Sequence, residues 1–312
     1  MIIIDAYFSN QISRWLESHI RIRVKLSTYD GYEYQVSKYL SPHFKEKRIE
    51  EITCNDIQIF VSTLKNEKTK EALSANTVHG IIRTMSYFYD YCVEREMVAK
   101  NPCLKVILPK KKQKKITTFT KREKRMLLRT IREEDKPRSY LVLTALITGM
   151  RLGELCSLKW NSIDMENKLI HVQTTNRRIY TEQKTEVVTT SPKTGHSVRT
   201  IPISKALMTV LKKLESLNSE YVFPKTNGKC YDNRGIQKYF RLLLKDLKIE
   251  GKNFHTLRHS FATTAIETKM DTKTLSMMLG HSNVATTMNL YVHPNETQTR
   301  KAMEQLSSYI LD

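Results

Sequence analysis

The sequence predicts a mainly α-helical chain with a small antiparallel β-sheet, an α+β class. Three observations carry that expectation. Residues 1–100 place apolar side chains at helical spacing almost without interruption. Three short strand-like runs, 169–174, 185–190 and 198–203, cluster in the second half. From Ser204 onward the helical spacing returns. A length of 312 residues accommodates two domains. The expected boundaries are 1–102 for a helical domain, 103–118 for a basic linker, and 119–312 for a second domain ending in a tail helix.

Four helices are expected in the first domain. Phe8, Ile12, Trp15, Leu16 and Ile20 form one stripe. Ser27 with Asp30 has the spacing of a capping box ahead of Tyr29, Tyr32, Val36 and Leu40, and Pro42 is expected to close that helix. Thr53 with Asp56 starts the third, whose stripe is Ile57, Phe60, Val61 and Leu64. Ser74 starts the fourth, which carries Val78, Ile81, Ile82, Met85, Phe88, Tyr89 and Cys92, and Asn101-Pro102 ends it. These stripes read as core, and their aromatic residues need no cofactor to explain them. In the second domain Thr120 and Glu123 cap a helix bearing Met126, Leu127 and Ile131, and an apolar helix follows over 140–147. The turn SPKTGH joins the last two strands as a hairpin. Helical stripes then run over 207–217, 236–247 and 254–266, followed by short helices and an amphipathic tail over 297–311.

Charge narrows the function. The chain carries 52 Lys and Arg against 32 Asp and Glu, a formal +20. Residues 1–100 hold 14 basic and 13 acidic residues, so 38 and 19 fall in 101–312. Solubility of a small domain needs a net charge of magnitude only about 2–8. The excess points to a polyanionic partner, nucleic acid first and an anionic membrane second. The run Lys110, Lys111, Lys112, Lys114 and Lys115 suits a solvated linker, and equally a strap along a phosphate backbone that gains counterion-release energy. Cys54, Cys92, Cys103, Cys156 and Cys230 form no C-x-x-C pair. That speaks against a disulfide framework or a zinc site and fits a reducing cytoplasm. Asp5 breaks the opening MIII, so no signal-peptide core is read, and no apolar run is long enough for a bilayer.

Four motifs could carry chemistry. In TGMRLGEL, Gly149 can end a helix in the left-handed conformation, Arg151 lies in the turn before the next helix, and Glu154 three residues on can hold the guanidinium. For that motif alone a surface Arg–Glu pair is the commoner explanation. In SPKTGHSVRTIPIS, Lys193 heads the hairpin, where a lysine is ordinarily just solvated. In HTLRH, His255 and Arg258 project from one face of a helix's first turns, where unpaired N–H groups and the dipole favour an anion. In LGHSNVATTMNLYVH, Gly280 can cap a helix that begins at Asp271, His281 sits outside the next helix, Ser282 caps it, and Tyr291 lies near its end. About 12 Å of helix separates His281 from Tyr291, a spacing that a shared phosphate would make sensible. No carboxylate cluster or His/Cys set suggests a metal. Metal-free phosphodiester cleavage needs cationic donors for charge on the equatorial oxygens, a nucleophile, and an acid for the departing hydroxyl. Two arginines, a lysine, two histidines and a tyrosine fill those roles.

These motifs, in this order and at these separations, resemble the tyrosine recombinase, or phage integrase, family of site-specific DNA recombinases. The resemblance covers most of the chain. It implies that 1–102 is a SAM-like core-binding, DNA-binding domain and 119–312 the catalytic domain. It implies that Arg151 and Arg258 clamp the scissile phosphate, and that His255 and His281 hydrogen-bond it and assist proton transfer. Lys193 would protonate the leaving 5′-hydroxyl, Tyr291 would attack to form a 3′-phosphotyrosyl link, and Glu154 matches a supporting acidic position. No metal, ATP or other cofactor is implied, because the phosphotyrosyl ester retains the phosphodiester's energy and a second 5′-hydroxyl can displace it. A free tyrosine has a pKa of about 10, so cations must ease its deprotonation or a neighbouring base must take its proton. The implied partners are double-stranded DNA with recombination sites and further copies of the chain in a homo-tetramer on synapsed DNA. Each copy would pass its C-terminal segment to a neighbour; a directionality factor is a further candidate partner, and no membrane is involved. Many integrases add an N-terminal domain for distant arm sites, for which this chain has no room. That leaves Xer-type resolution, a mobile element that recombines without arm binding, or a chain from which such a domain has been removed. The alternatives are a DNA-binding regulator that has lost its chemistry and a type IB topoisomerase. The complete constellation and the Gly-His to Tyr spacing favour the recombinase.

Overall fold

A computed structural model describes residues 6–67, 69–111, 116–180, 185–190, 198–291 and 296–311. The chain divides into two compact units, one within residues 1–114, with which residues 179–180 are also grouped, and one within 115–178 and 185–312. Each is built round its own apolar core.

The first unit is all helical. α1 (Phe8–Trp15) continues through a π-helical turn, Leu16–Ile20, into α2 (Arg21–Arg23). α3 (Leu26–Gln35) continues through a second π-helical turn, Val36–Leu40, into α4 (Ser41–Phe44). α5 (Cys54–Thr63) and α6 (Ala75–Glu94) complete the unit. The expected stripes face inward: Phe8, Ile12, Leu40, Ile57, Ile81, Met85 and Phe88 have no accessible surface. Phe8 sits 5.3 Å from Phe44 and 5.4 Å from Phe88, ring centre to ring centre.

Three boundaries differ from expectation. The second long helix starts at Leu26, with Lys25 as its N-cap, rather than at Ser27. Pro42 does not close it. A proline ring clashes with the carbonyl four residues back in a regular helix. Here the preceding turn is widened, with the Ser41 N–H reaching the Val36 carbonyl, and the chain runs on to Phe44. The helix begun at Ser74 ends at Glu94, well before Asn101-Pro102. Glu96 turns left-handed at φ 57°, and the Met97 N–H returns 2.9 Å to the Cys92 carbonyl. Asn101 instead ties the following turn to that helix, donating 2.7 Å to Asp90.

In the second unit α7 (Lys121–Glu134) starts at the Thr120–Glu123 capping box, and α8 (Pro137–Thr148) and α9 (Leu152–Cys156) follow. The strands are β1 (Ile163–Asp164), β2 (Leu169–Val172), β3 (Thr175–Tyr180), β4 (Thr185–Thr190) and β5 (Arg199–Pro202). Helices α10 (Lys205–Glu215), α11 (Asn233–Asp246), α12 (His255–Glu267), α13 (Thr272–Leu279), α14 (Val284–Tyr291) and α15 (Glu296–Leu311) complete it. The antiparallel sheet runs β1-β2-β5, and β3 and β4 form a separate two-stranded sheet. The last two strand-like runs are therefore not a hairpin: β5 pairs with β2, and β4 pairs with β3, a strand the sequence did not announce. Apolar matching explains the choice. Ile170 lies opposite Ile201, and both are fully buried. Among the described residues no helix is long and apolar enough to cross a membrane.

Candidate active site

The C-terminal end of α13 supplies the frame. Asp271 caps its start, and Gly280 stops it in the left-handed conformation at φ 64°. The last carbonyls of a helix lack helical partners and lie at its negative end. Three consecutive ones here each take a different guanidinium. Arg199 Nε donates 2.6 Å to the Met278 carbonyl, Arg258 Nη2 donates 2.6 Å to Leu279, and Arg151 Nη2 donates 3.2 Å to Gly280. Arg258 Nη1 also donates 2.8 Å to the carbonyl of Gly149, the left-handed cap of α8. Helix ends drawn from distant sequence thus hold three cations side by side.

Glu154 is the counter-charge. It is buried on α9, and its two oxygens take Arg199 Nη1 at 3.0 Å and Nη2 at 2.8 Å. Arg151 Nη1 reaches one oxygen at 3.0 Å, and the Arg151 backbone N–H donates 2.8 Å to the other. Burial works to raise the Glu154 pKa, but the Arg199 hydrogen bonds and the Arg151 and Arg199 charges outweigh it and leave it lowered. The Arg199 and Glu154 side chains are 5% and 3% exposed, whereas Arg151 is 38% exposed. Arg151 is thus presented to solvent while Arg199 braces it from behind through Glu154.

The histidines stand in this cationic field. His255 opens α12, and His259 follows one turn later with the rings 4.6 Å apart and edge-on. His255 keeps an accessible edge, yet desolvation, then His259, Arg258 and Arg151, bring its pKa down to about 4. His281, between α13 and α14, is brought down to about 4 by burial, then by Arg258, Arg151, Arg199 and His255. Its Nδ1 lies 2.8 Å from the buried Thr287 hydroxyl. Burial first, then Arg151, draws Arg258 down to about 9. An anion placed here would offset the cationic repulsion that, after burial, lowers the pKa of both histidines.

Tyr291 closes α14 with 8% of its surface exposed, against Ala262, Ala265, Leu275 and Leu279. Its hydroxyl lies 2.6 Å from His259 Nδ1. Burial raises its pKa, and Arg258 works the other way. The structure therefore pairs Tyr291 with His259 and His281 with Thr287. Asn283, not Ser282, caps α14, accepting 2.8 Å from the Ala285 N–H.

Arg151, Glu154, His255, Arg258, His281 and Tyr291 are thus brought to one place. Lys193 lies outside the described residues, as do Lys112, Lys114 and Lys115. Lys110 and Lys111 are exposed in the first unit. Beside His255 a groove of 630 Å³ is lined by Arg234, Gln237, Lys238, Arg241 and Asn253, so α11 sets a basic face next to the site. A larger cavity of 1080 Å³, lined by residues of 136–138 and 217–231, contains none of the site residues. The sequence left Arg199 and His259 unselected, although both had a signal. Strand alternation puts Arg199 on the side of buried Ile201, where an arginine needs a carboxylate. His259 stands four residues after His255, on the same helix face.

The sequence matches the profile of the phage integrase family over residues 117–298, and that of the phage integrase N-terminal SAM-like domain over 7–65. A tyrosine recombinase XerC-like protein of Caldanaerobacter subterraneus is 28% identical, over 98% of this chain and 84% of its own length. The ICEBs1 integrase of Bacillus subtilis is 26% identical, over 97% of this chain and 83% of its own. Among solved structures, the Tn1549 transposon integrase in complex with a circular intermediate DNA superposes with a TM-score of 0.81 at 21% identity, covering 96% of this chain and 98% of that one. A lambda integrase dimer bound to a core site gives 0.70 at 17% identity, covering 91% of this chain and 76% of that one. At these identities the structural matches speak for the fold.

Proposed function

This chain belongs to the phage integrase family of tyrosine recombinases, and from that membership and the site geometry we propose that it cleaves and rejoins DNA at specific sites through a 3′-phosphotyrosyl intermediate. One observation carries the reading. Arg151 and Arg258 are fixed on adjacent carbonyls of a single helix end, and Tyr291 is hydrogen-bonded to the residue that follows Arg258.

In this reading Arg151 and Arg258 bind the scissile phosphate and stabilise the charge that grows on its equatorial oxygens. His255 and His281 hydrogen-bond the same oxygens. Tyr291 attacks phosphorus, and Lys193 returns a proton to the departing 5′-oxygen. Glu154 keeps Arg151 in place. Residues 1–102 act as the core-binding domain, 103–118 as the linker and 119–312 as the catalytic domain. The α11 groove and the Lys110–Lys115 run contact phosphates. α15, whose Met303, Leu306, Tyr309 and Ile310 are exposed, packs on a neighbouring copy in a tetramer on synapsed DNA. The protein works in the cytoplasm. Relatives named as the ICEBs1 and Tn1549 integrases support service to a mobile element.

The test uses a nicked suicide duplex carrying the sequence that the full chain selects from a randomised DNA pool. The wild-type protein is expected to give an SDS-resistant protein–DNA band. Tyr291→Phe should give none while binding the duplex with unchanged affinity. A band from the Phe variant rules Tyr291 out as the nucleophile.

A further inference from the structure

The Tyr291 hydroxyl starts as a poor nucleophile. It is buried, which raises its pKa, and at neutral pH it carries its proton. The arginines ease the loss of that proton but cannot accept it. Glu154 cannot accept it either, since its oxygens are taken up by Arg199 and by Arg151. His281 has its Nδ1 on Thr287, and His255 packs edge-on against the His259 ring while the Tyr291 hydroxyl makes its hydrogen bond to His259.

His259 is differently placed. Its Nδ1 is 2.6 Å from the hydroxyl, and its ring centre is 5.7 Å from that of Tyr291. It is only partly buried, on the first turns of the helix that carries Arg258. We infer that His259 is the general base of the reaction, a catalytic residue that takes the Tyr291 proton as the phenol attacks. This rests on Tyr291 being the nucleophile.

The step balances. The phenol O–H bond breaks and its proton bonds to Nδ1, giving an imidazolium with Nε2 already protonated. The phenol oxygen's electron pair forms the bond to phosphorus. The bond from phosphorus to the 5′-oxygen breaks, and that oxygen is protonated by an acid on the opposite side. In the return step the imidazolium gives its proton back to the departing phenol. The groups acting on His259 suit a base that starts neutral. Burial lowers its pKa, Arg258 on the same helix lowers it further, and His255 lies edge-on one turn before it. From α14 it meets Tyr291; Arg151, ahead of α9, acts on the neighbouring His255. A bound phosphate would bring compensating negative charge beside the imidazolium as it forms.

The test is the single-turnover cleavage rate against pH on the nicked duplex described above. His259→Ala should slow adduct formation at pH 7 by about 10²–10⁴-fold, the usual contribution of general base catalysis. The deficit should shrink as pH rises, while duplex binding is unchanged. His259→Asn separates holding from proton transfer, because its amide oxygen can accept the hydroxyl's hydrogen bond yet cannot take the proton. It is expected to stay as slow as the Ala variant. Wild-type rate and pH profile in either variant overturn the assignment, and full recovery with Asn alone reduces His259 to a positioning residue. A second measurement needs no variant. Assigned ¹⁵N resonances of the DNA-free protein should show the proton of His259 on Nε2, and a proton on Nδ1 at neutral pH overturns the base role. An adduct with Tyr291→Phe is a separate failure, that of the nucleophile itself.

Discussion

Arg199 directs its guanidinium wholly into the protein, with two nitrogens on Glu154 and the third on the Met278 carbonyl. Removing one partner of a buried pair leaves the other charge stranded, at a cost of about 3–5 kcal/mol. Arg199→Ala should therefore lower the unfolding free energy of the protein by about 3 kcal/mol, read from urea denaturation. Arg199→Lys should recover only part of that, since an ammonium cannot span both oxygens. A loss within the roughly 0.5 kcal/mol expected of a surface change would show that the brace behind Arg151 carries little. At this scale the sequence was partly legible. Arg151, Glu154, His255, Arg258, His281 and Tyr291 were singled out because their motifs are local. How each is buried or presented was not legible, because that depends on which helix ends meet. Nothing near Arg258 in sequence says that its guanidinium would be held by Gly149 and Leu279.

The element α9 shows how the site is anchored. Gly153 lies one residue before Glu154, against β3, and a Cβ added there would come 2.5 Å from the Thr175 hydroxyl and 2.7 Å from the Asn176 carbonyl. Asn176 is itself buried. Its side-chain oxygen accepts 2.7 Å from the Thr189 hydroxyl, and its carbonyl accepts 3.1 Å from Asn233 at the start of α11. Gly153→Ala ought to stabilise an ordinary helix by up to about 1 kcal/mol. Here the overlap with a backbone carbonyl should reverse the sign and cost about 1–3 kcal/mol. Thermal unfolding decides it, and a raised midpoint would mean that α9 and β3 are not in close contact. Elements announced by a local signal were legible. The Thr53–Asp56 and Thr120–Glu123 boxes form, Asp271 caps α13, and Gly149 and Gly280 turn left-handed. What failed was nonlocal or rests on small backbone differences. β3 and the β2–β5 pairing depend on facing strands far apart in sequence. The run past Pro42 depends on one widened turn.

Across the whole molecule, each of the two units forms a core of its own, and almost all of the +20 charge falls after residue 100. That asymmetry was readable from composition, and it agrees with a basic face on α11 beside a site built from clustered guanidinium groups. Which DNA sequence the proposed recombinase would read was not legible, because base contacts depend on side-chain placement in a groove. The central claim concerns a covalent bond, so the most direct measurement is to find it. The SDS-resistant complex on the nicked duplex is digested with protease and nuclease, and the linked peptide is sequenced by mass spectrometry. The nucleotide remnant is expected on Tyr291, joined through a 3′-phosphate, with a free 5′-hydroxyl on the released strand. A remnant on another residue, or a link through a 5′-phosphate, would contradict it.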